Sequence, residues 1–501
     1  MNFRKSALSL AVLTAALSLH GCSDDNDSGN NQAEQSPQAK NVILMITDGA
    51  SWGTWDMASY WEYGEKGKQP YDRFDVKLGM ITPPLNTSNT PTFTGIPQVT
   101  YDPEQAWDTT PVNSTTGGRP NHFAGYEYLK EDYTDSAAAG TVLATGQKTY
   151  NNAIDYDDFA QPLTFITQEI REQGKATGVL SSVPFSHATP AAFGAQNISR
   201  NNYGEIATFM VQRDHLDLIM GGGHPEYDSN GQPRSEPRYA NEVGTGGGFI
   251  PRTTWEGLRN STAGGARPWQ LVEDKSDFEA LAAGTLSLTA ERLIGIPRVY
   301  DTLQYNRSEA VMGTDAANPS GVAFNLNVPS LETMTRGALN YLSQDPDGFF
   351  VMIEGGAVDW AAHANDTARI IEEQVDFNRS VTAVVEWVEQ NSSWDETLVI
   401  VLTDHGNAMP MGPDSDTIPF QPIQNNGAGV LPGVRWHYGT HTNENTLMFA
   451  HGAGAEHFYD LVIGTDAGLR DIIGFSDGRY IDNSAVHRVI SRALNLELTT
   501  P

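Results

Sequence analysis

A single cysteine, Cys22, in 501 residues excludes an internal disulfide and any thiolate metal cage. Basic residues are also scarce: 31 Lys and Arg stand against 62 Asp and Glu, a net charge of −31. That balance argues against nucleic acid as a recognised partner, and an anionic substrate would need a site that makes its own positive field. Beyond the first twenty residues no apolar run is long enough to span a bilayer. What is present, 39% hydrophobic residues over a long chain, suffices for a large α/β core carrying insertions.

The N-terminus has the syntax of an export signal, with Arg4 and Lys5 followed by the apolar or small stretch from Ala7 to Leu19. It closes on "LSLHGC", which is similar to a bacterial lipoprotein processing site, with His20 where a small residue is usual. The expectation is a signal peptide over 1–21 and an exported chain, in the periplasm or attached to the outer membrane through a lipid on Cys22. Residues 22–40 contain almost nothing that could pack and read as a disordered tether. The folded domain is expected over 41–501.

Several apolar runs stop at a charged residue or a histidine. "NVILMITDGAS" ends at Asp48, "FFVMIEGGAVDW" at Glu354, "TLVIVLTDHGN" at Asp404 and His405, and "ATGVLSSVPFSHATP" near His187. Continuous apolar runs suit strands buried on both faces of a parallel sheet. Between them lie helical patterns such as "DTARIIEEQVDFNRSVTAVVEWVEQN" and "NYGEIATFMVQ". The alternation predicts an α/β fold with a mostly parallel central sheet flanked by helices on both faces. Ligands in such folds bind outside the carboxyl ends of the strands, where these side chains collect. Converging carboxylates repel unless cations compensate, and without thiolates the ligands must be oxygen and imidazole. In "DWAAHAND", Asp359 and His363 are four apart and share one side of a helix. In "WHYGTHTNEN", His437 and His441 both qualify as a further ligand, whereas His451, His457 and His487 read as packing or surface histidines.

"EDYTDSAAAGTVLATG" poses a separate question. Asp and Ser are common N-caps, so Asp135-Ser136 before an Ala run predicts the start of a helix. A serine there would also face free backbone N–H groups and the partial positive charge of a helix N-terminus.

Taken in order, "DGA", "TDSAAAGTVLATGQKTYNNAI", "HATPAAFGAQNISR", "EGGAVDWAAHAND", "TDHG" and "HTNENTLMFAHG" resemble the alkaline phosphatase family over about residues 41–460. The resemblance implies a phosphate monoesterase with a phosphoserine intermediate on Ser136. It implies two zinc ions, one held by Asp48, Asp404 and His405 and contacting Ser136, the other by Asp359, His363 and His441. It further implies a magnesium ion, replaceable by zinc, held by Asp48, Glu354 and Thr189. Arg200 would clamp phosphate and Asp135 would hold Arg200. His187 stands where some members have aspartate beside the third metal, and Trp360 where others have lysine or histidine. An imidazole at 187 would either ligate zinc there, favouring it over magnesium, or hydrogen-bond a metal-bound water, and a tryptophan at 360 removes a cation near the phosphate.

The stretches at about 84–130 and 224–330 are poor in apolar runs and read as insertions. The first is expected to lid the site, reach a second subunit or merely decorate the surface; the second is expected to form a peripheral lobe above the sheet. Expected partners are small phosphorylated substrates, the membrane only through the lipid anchor, and, as usual in the family, a second copy in a homodimer. Rival functions are a phosphodiesterase on the same metal scaffold and a non-catalytic phosphate-binding surface lipoprotein. A sulfatase is disfavoured, because "DSAAAG" lacks the x-P-x-R that should follow its nucleophile.

Overall fold

The structure, a computed structural model, describes residues 38–241 and 247–496. The expected signal peptide, Cys22 and most of the tether lie outside the described residues. Ala39, just before the expected start of the folded domain, is buried, and its amide donates to the Ala493 carbonyl.

The central sheet has eleven strands among the described residues. From one edge to the other they are 464–465, 479–482, 76–81, 446–452, 397–402, 41–47, 349–355, 176–184, 218–222, 292–295 and 269–272. From the 397–402 strand to the far edge every pairing is parallel. The 446–452 strand runs antiparallel to both its neighbours. Side chains alternate along each strand, and here both sets are buried. Val42, Leu44 and Ile46 enter one core and Ile43 and Met45 the other. This is why the first strand reads as an unbroken apolar run. Helices Trp52–Tyr63, Leu331–Leu342 and Thr367–Asn391 cover one face. Ser136–Thr145, Tyr203–Gln212 and Ser484–Ala493 cover the other.

The 224–330 stretch differs from expectation. Trp269–Val272 and Arg292–Gly295 join the central sheet beside Leu218–Gly222 and extend it, instead of standing above it as a lobe. Four-residue strands set among Gly, Pro and charged residues leave no run long enough to read. The 84–130 stretch holds two short helices, Pro103–Ala106 and Ala124–Leu129, and a hairpin of Thr115–Thr116 with Arg119–Pro120. Trp107 anchors it by stacking on Trp52, ring centroids 4.7 Å apart. The hairpin reaches the border of the candidate site, where Arg119 Nη2 donates to Asn365 Oδ1 at 2.9 Å.

Candidate active site

Four adjacent strands deliver the first side chains. The 397–402, 41–47, 349–355 and 176–184 strands run parallel, with Ile46 in register with both Leu402 and Glu354, and Glu354 with Ser181. Their carboxyl ends place Asp404-His405, Asp48, Glu354 and the start of helix Ala188–Ala192, with His187 as its cap and Thr189 in its first turn, side by side. Gly49 makes this approach feasible: it takes a left-handed φ of 68°, and a Cβ there would lie 2.6 Å from Asp359 Oδ1.

The helix Ala357–His363 carries Asp359 and His363 on one side, as their spacing predicts. His363 Nε2 lies 3.4 Å from Asp359 Oδ2. His441 comes from a two-residue strand paired with Gly406–Asn407, and its Nε2 is 3.4 Å from Asp359 Oδ1 and 3.2 Å from His363 Nε2. His405 Nε2 lies 3.5 Å from Asp48 Oδ1 and 3.2 Å from Asp404 Oδ2. Two tight clusters result, Asp48–Asp404–His405 and Asp359–His405–His441, with His363 against the second. Of the two late histidines, His441 therefore joins this site and His437 does not.

The three imidazoles share one hydrogen-bond logic. Nδ1–H of His405 donates to the Gly406 carbonyl at 3.3 Å, that of His441 to Thr134 at 2.9 Å, and that of His363 to Gly439 at 3.0 Å. Carbonyl oxygens only accept, so each neutral ring keeps its proton on Nδ1 and turns an Nε2 lone pair towards carboxylate oxygens. Asp48 Oδ1, Asp404 Oδ2 and Glu354 Oε1 are buried without a hydrogen-bond partner. Such a convergence of acceptors needs cations, and its oxygen and nitrogen donors fit divalent ions such as zinc and magnesium.

The titration behaviour of the bare side chains records the same strain. Burial, with the neighbouring carboxylates, drives Asp48 well above the carboxylate range. Burial and the Asp359 charge push Asp404 up to about 6. Burial raises Glu354 to about 7 although Ser181, Thr189 and Asp48 lie within hydrogen-bonding reach of it. Burial and the neighbouring His441 hold His405 well below the imidazole range. At His363 burial again disfavours the charged ring, but Asp359 outweighs it and lifts the ring to about 9.

Ser136 sits within this group, its Oγ 3.2 Å from His405 Nε2. It is the first residue of the helix Ser136–Thr145, and the cap is Asp135, whose Oδ1 accepts from the Ala138 amide at 2.9 Å. The serine hydroxyl is thus released from capping. The other oxygen of Asp135, Oδ2, receives Arg200 Nη1 at 3.0 Å. Thr189 Oγ1 is 3.4 Å from Asp48 Oδ2. A cavity of about 400 Å³ opens in front, lined by His187, Arg200, Tyr305, Asp359, Trp360, His363 and His441. His187 and Trp360 stand on its wall, ring centroids 5.7 Å apart, and His187 lies outside both three-residue clusters. Its Nδ1 is buried without a partner.

Comparison with known proteins identifies the family. The family model described as alkaline phosphatase matches residues 121–429. The chain belongs to the alkaline phosphatase family. It is 28% identical over 412 residues to alkaline phosphatase 4 of Bacillus subtilis, covering 81% of this chain and 70% of that one. It is 30% identical over 376 residues to the alkaline phosphatase of Escherichia coli K12, covering 70% and 76%. Among solved structures, the alkaline phosphatase of the Antarctic bacterium TAB5 superposes with a TM-score of 0.57 at 20% identity, covering 92% of this chain and all of the other. That of Thermus thermophilus gives 0.59 at 17% identity, covering 96% and 97%. This alkaline phosphatase is an enzyme of phosphate monoester hydrolysis.

Three residues of the site escaped the sequence. Tyr305, from the 224–330 stretch, lines the cavity. Asn407 Nδ2 donates to Asp359 Oδ1 at 2.6 Å, and the Asn407 amide donates to Ser51 Oγ at 2.9 Å. Glu444, buried and raised to about 7 by that burial, receives Ser51 Oγ at 2.5 Å. Asn407 and Glu444 stand inside the motifs "TDHGN" and "HTNEN", where only the neighbouring candidate ligands draw notice.

Proposed function

We propose that the enzyme hydrolyses phosphate monoesters through a phosphoserine on Ser136. The observation that carries this is the placement of Ser136 Oγ at a helix start, 3.2 Å from His405 Nε2, among acceptors that only cations can reconcile. Asp48, Asp404 and His405 would hold one zinc, Asp359, His363 and His441 a second, and Asp48, Glu354 and Thr189 a magnesium or zinc. Bound divalent ions lower the pKa of a hydroxyl and offset charge on the phosphoryl and leaving oxygens.

The chain's own groups supply the rest. Ser136 Oγ loses its proton and bonds to phosphorus as the ester P–O bond breaks, and the leaving oxygen takes up a proton to depart as the alcohol; water then attacks phosphorus, the Oγ–P bond breaks, and phosphate leaves as Oγ regains a proton. Backbone amides at the helix start face the incoming anion, where the helix dipole favours negative charge. Arg200 supplies a planar fork for two phosphoryl oxygens, and Asp135 fixes its orientation. Trp360 and Tyr305 line the cavity for the leaving group without adding a cation, which fits broad tolerance and ready phosphate release. In two solved variants of the TAB5 enzyme, a histidine replaced by aspartate or glutamate accompanies magnesium in the third metal site. By that likeness, His187 steers the third site here towards zinc.

Export, anchoring through Cys22 and homodimerisation are part of the same proposal. Recovery of a Cys22→Ala variant in the membrane fraction would overturn the anchor, and a monomeric mass in solution would overturn the dimer. The catalytic reading is tested by initial rates on a phosphomonoester and a phosphodiester, with and without chelator. A monoester rate at least about a hundredfold higher, lost on prolonged chelation and restored by zinc with magnesium, is expected. Preference for the diester would instead support the rival enzyme on this scaffold.

A further inference from the structure

His437, left out of the catalytic cluster, belongs to another group of donors. His122, Asp416 and His437 each offer one atom, and the three atoms lie within 4.8 Å of one another. His122 Nε2 is 3.2 Å from Asp416 Oδ1, and His437 Nδ1 is 3.9 Å from the same oxygen. The donors of a tetrahedral zinc site, with bonds of about 2.0–2.1 Å, stand roughly 3.3 Å apart, so a small side-chain adjustment closes the group on one ion.

The hydrogen bonds behind His437 fix its tautomer. Ser415 Oγ gives its one proton to the Gly412 carbonyl at 2.7 Å, so at 2.7 Å from His437 Nε2 it acts as acceptor. Nε2 therefore carries the ring proton, and the Nδ1 lone pair faces a carboxylate oxygen. That ring is buried, packed at 4.7 Å against Tyr126 and edge-on to His122 at 5.8 Å. Arg435 Nε donates to Asp416 Oδ1 at 3.0 Å and offsets its charge, but this leaves the opposed lone pair of His437 unexplained. His122 holds a left-handed φ of 58°, a backbone state uncommon for residues other than glycine.

We propose that His122, Asp416 and His437 bind a zinc ion, separate from the catalytic centre, with water completing the coordination. Two imidazoles and one carboxylate suit zinc over calcium or magnesium, which favour oxygen ligands. The ion would fasten the 84–130 stretch, which runs directly into the Ser136 helix, to the loop that leads into His441. The hydrogen bond behind His437 is the outer support that metal-bound histidines usually have.

The test uses the full-length enzyme, equilibrated with zinc, dialysed, and assayed for metal per chain by mass spectrometry. His122→Ala should contain one zinc fewer than the wild type, with kcat at saturating metal changed less than about twofold. Zinc should also raise its unfolding temperature less than it raises that of the wild type. His437→Gln should lose the same ion; should that buried substitution prevent folding, the more exposed His122→Ala decides alone. Equal zinc content in wild type and His122→Ala would overturn the site.

Discussion

Asp359, a proposed metal ligand, is held in place by a residue outside the proposed ligand set. Its Oδ1 accepts from Asn407 Nδ2 at 2.6 Å while facing His441, and its Oδ2 faces His363. Burial opposes ionisation, but His363 and His441 together outweigh it and hold the carboxyl well below its usual range. Losing the amide frees the carboxylate to rotate and leaves a buried acceptor unsatisfied. Asn407→Ala should cost about ten- to a hundredfold in activity or in resistance to chelator. Chelator titration of the rate checks this, and a curve superimposable on the wild type would contradict it. Asp48, Asp404 and His405 are legible from the sequence because each ends a strand. Asn407 and Glu444 are not, because their work is done across the fold, against Asp359 and Ser51.

At the scale of the helix Ser136–Thr145, one aspartate performs two tasks with two oxygens. Oδ1 of Asp135 caps the helix and also accepts from the Asn152 amide at 3.0 Å, while Oδ2 holds Arg200. Substitutions can separate these tasks. Asp135→Asn retains a capping oxygen and should leave the unfolding temperature near the wild type, yet weaken inhibition by phosphate as Arg200 loses its charged partner. Asp135→Ala should add a stability loss of about 1 kcal/mol for the missing cap. Thermal unfolding and phosphate inhibition constants distinguish them, and an unchanged inhibition constant in both would refute the link to Arg200. The sequence identifies the start of this helix but not which of Asp135 and Ser136 caps it; the choice is decided by where His405, after the 397–402 strand, and Arg200, in the turn before helix Tyr203–Gln212, arrive. The short strands at 269–272 and 292–295 illustrate the same limit, since only pairing with the 218–222 strand defines them.

For the whole molecule, the buried acidic groups set how stability depends on metal and pH. Unfolded carboxyls titrate near pH 4. In the folded chain without metal, Asp48 is raised well above that, Asp404 to about 6 and Glu354 to about 7, all chiefly by burial. The folded state then binds more protons than the unfolded one, so this contribution is full below about pH 4 and lost as pH rises through 6 to 7. Burial also raises Glu444 to about 7 and Glu373 to about 8, which tilts metal-loaded and stripped protein alike. Stripped protein should therefore show a steeper fall in unfolding temperature between pH 5 and 8 than protein held in zinc and magnesium; parallel curves would contradict the metal-ligand role of the three carboxylates. The central claim is chemical, and acid quenching of the working enzyme tests it most directly. Peptide mass spectrometry after turnover of a phosphomonoester at acid-side pH should find phosphate on Ser136, and Ser136→Ala should lose about a thousandfold or more in kcat. An unlabelled Ser136 together with a fully active Ser136→Ala variant would contradict the account.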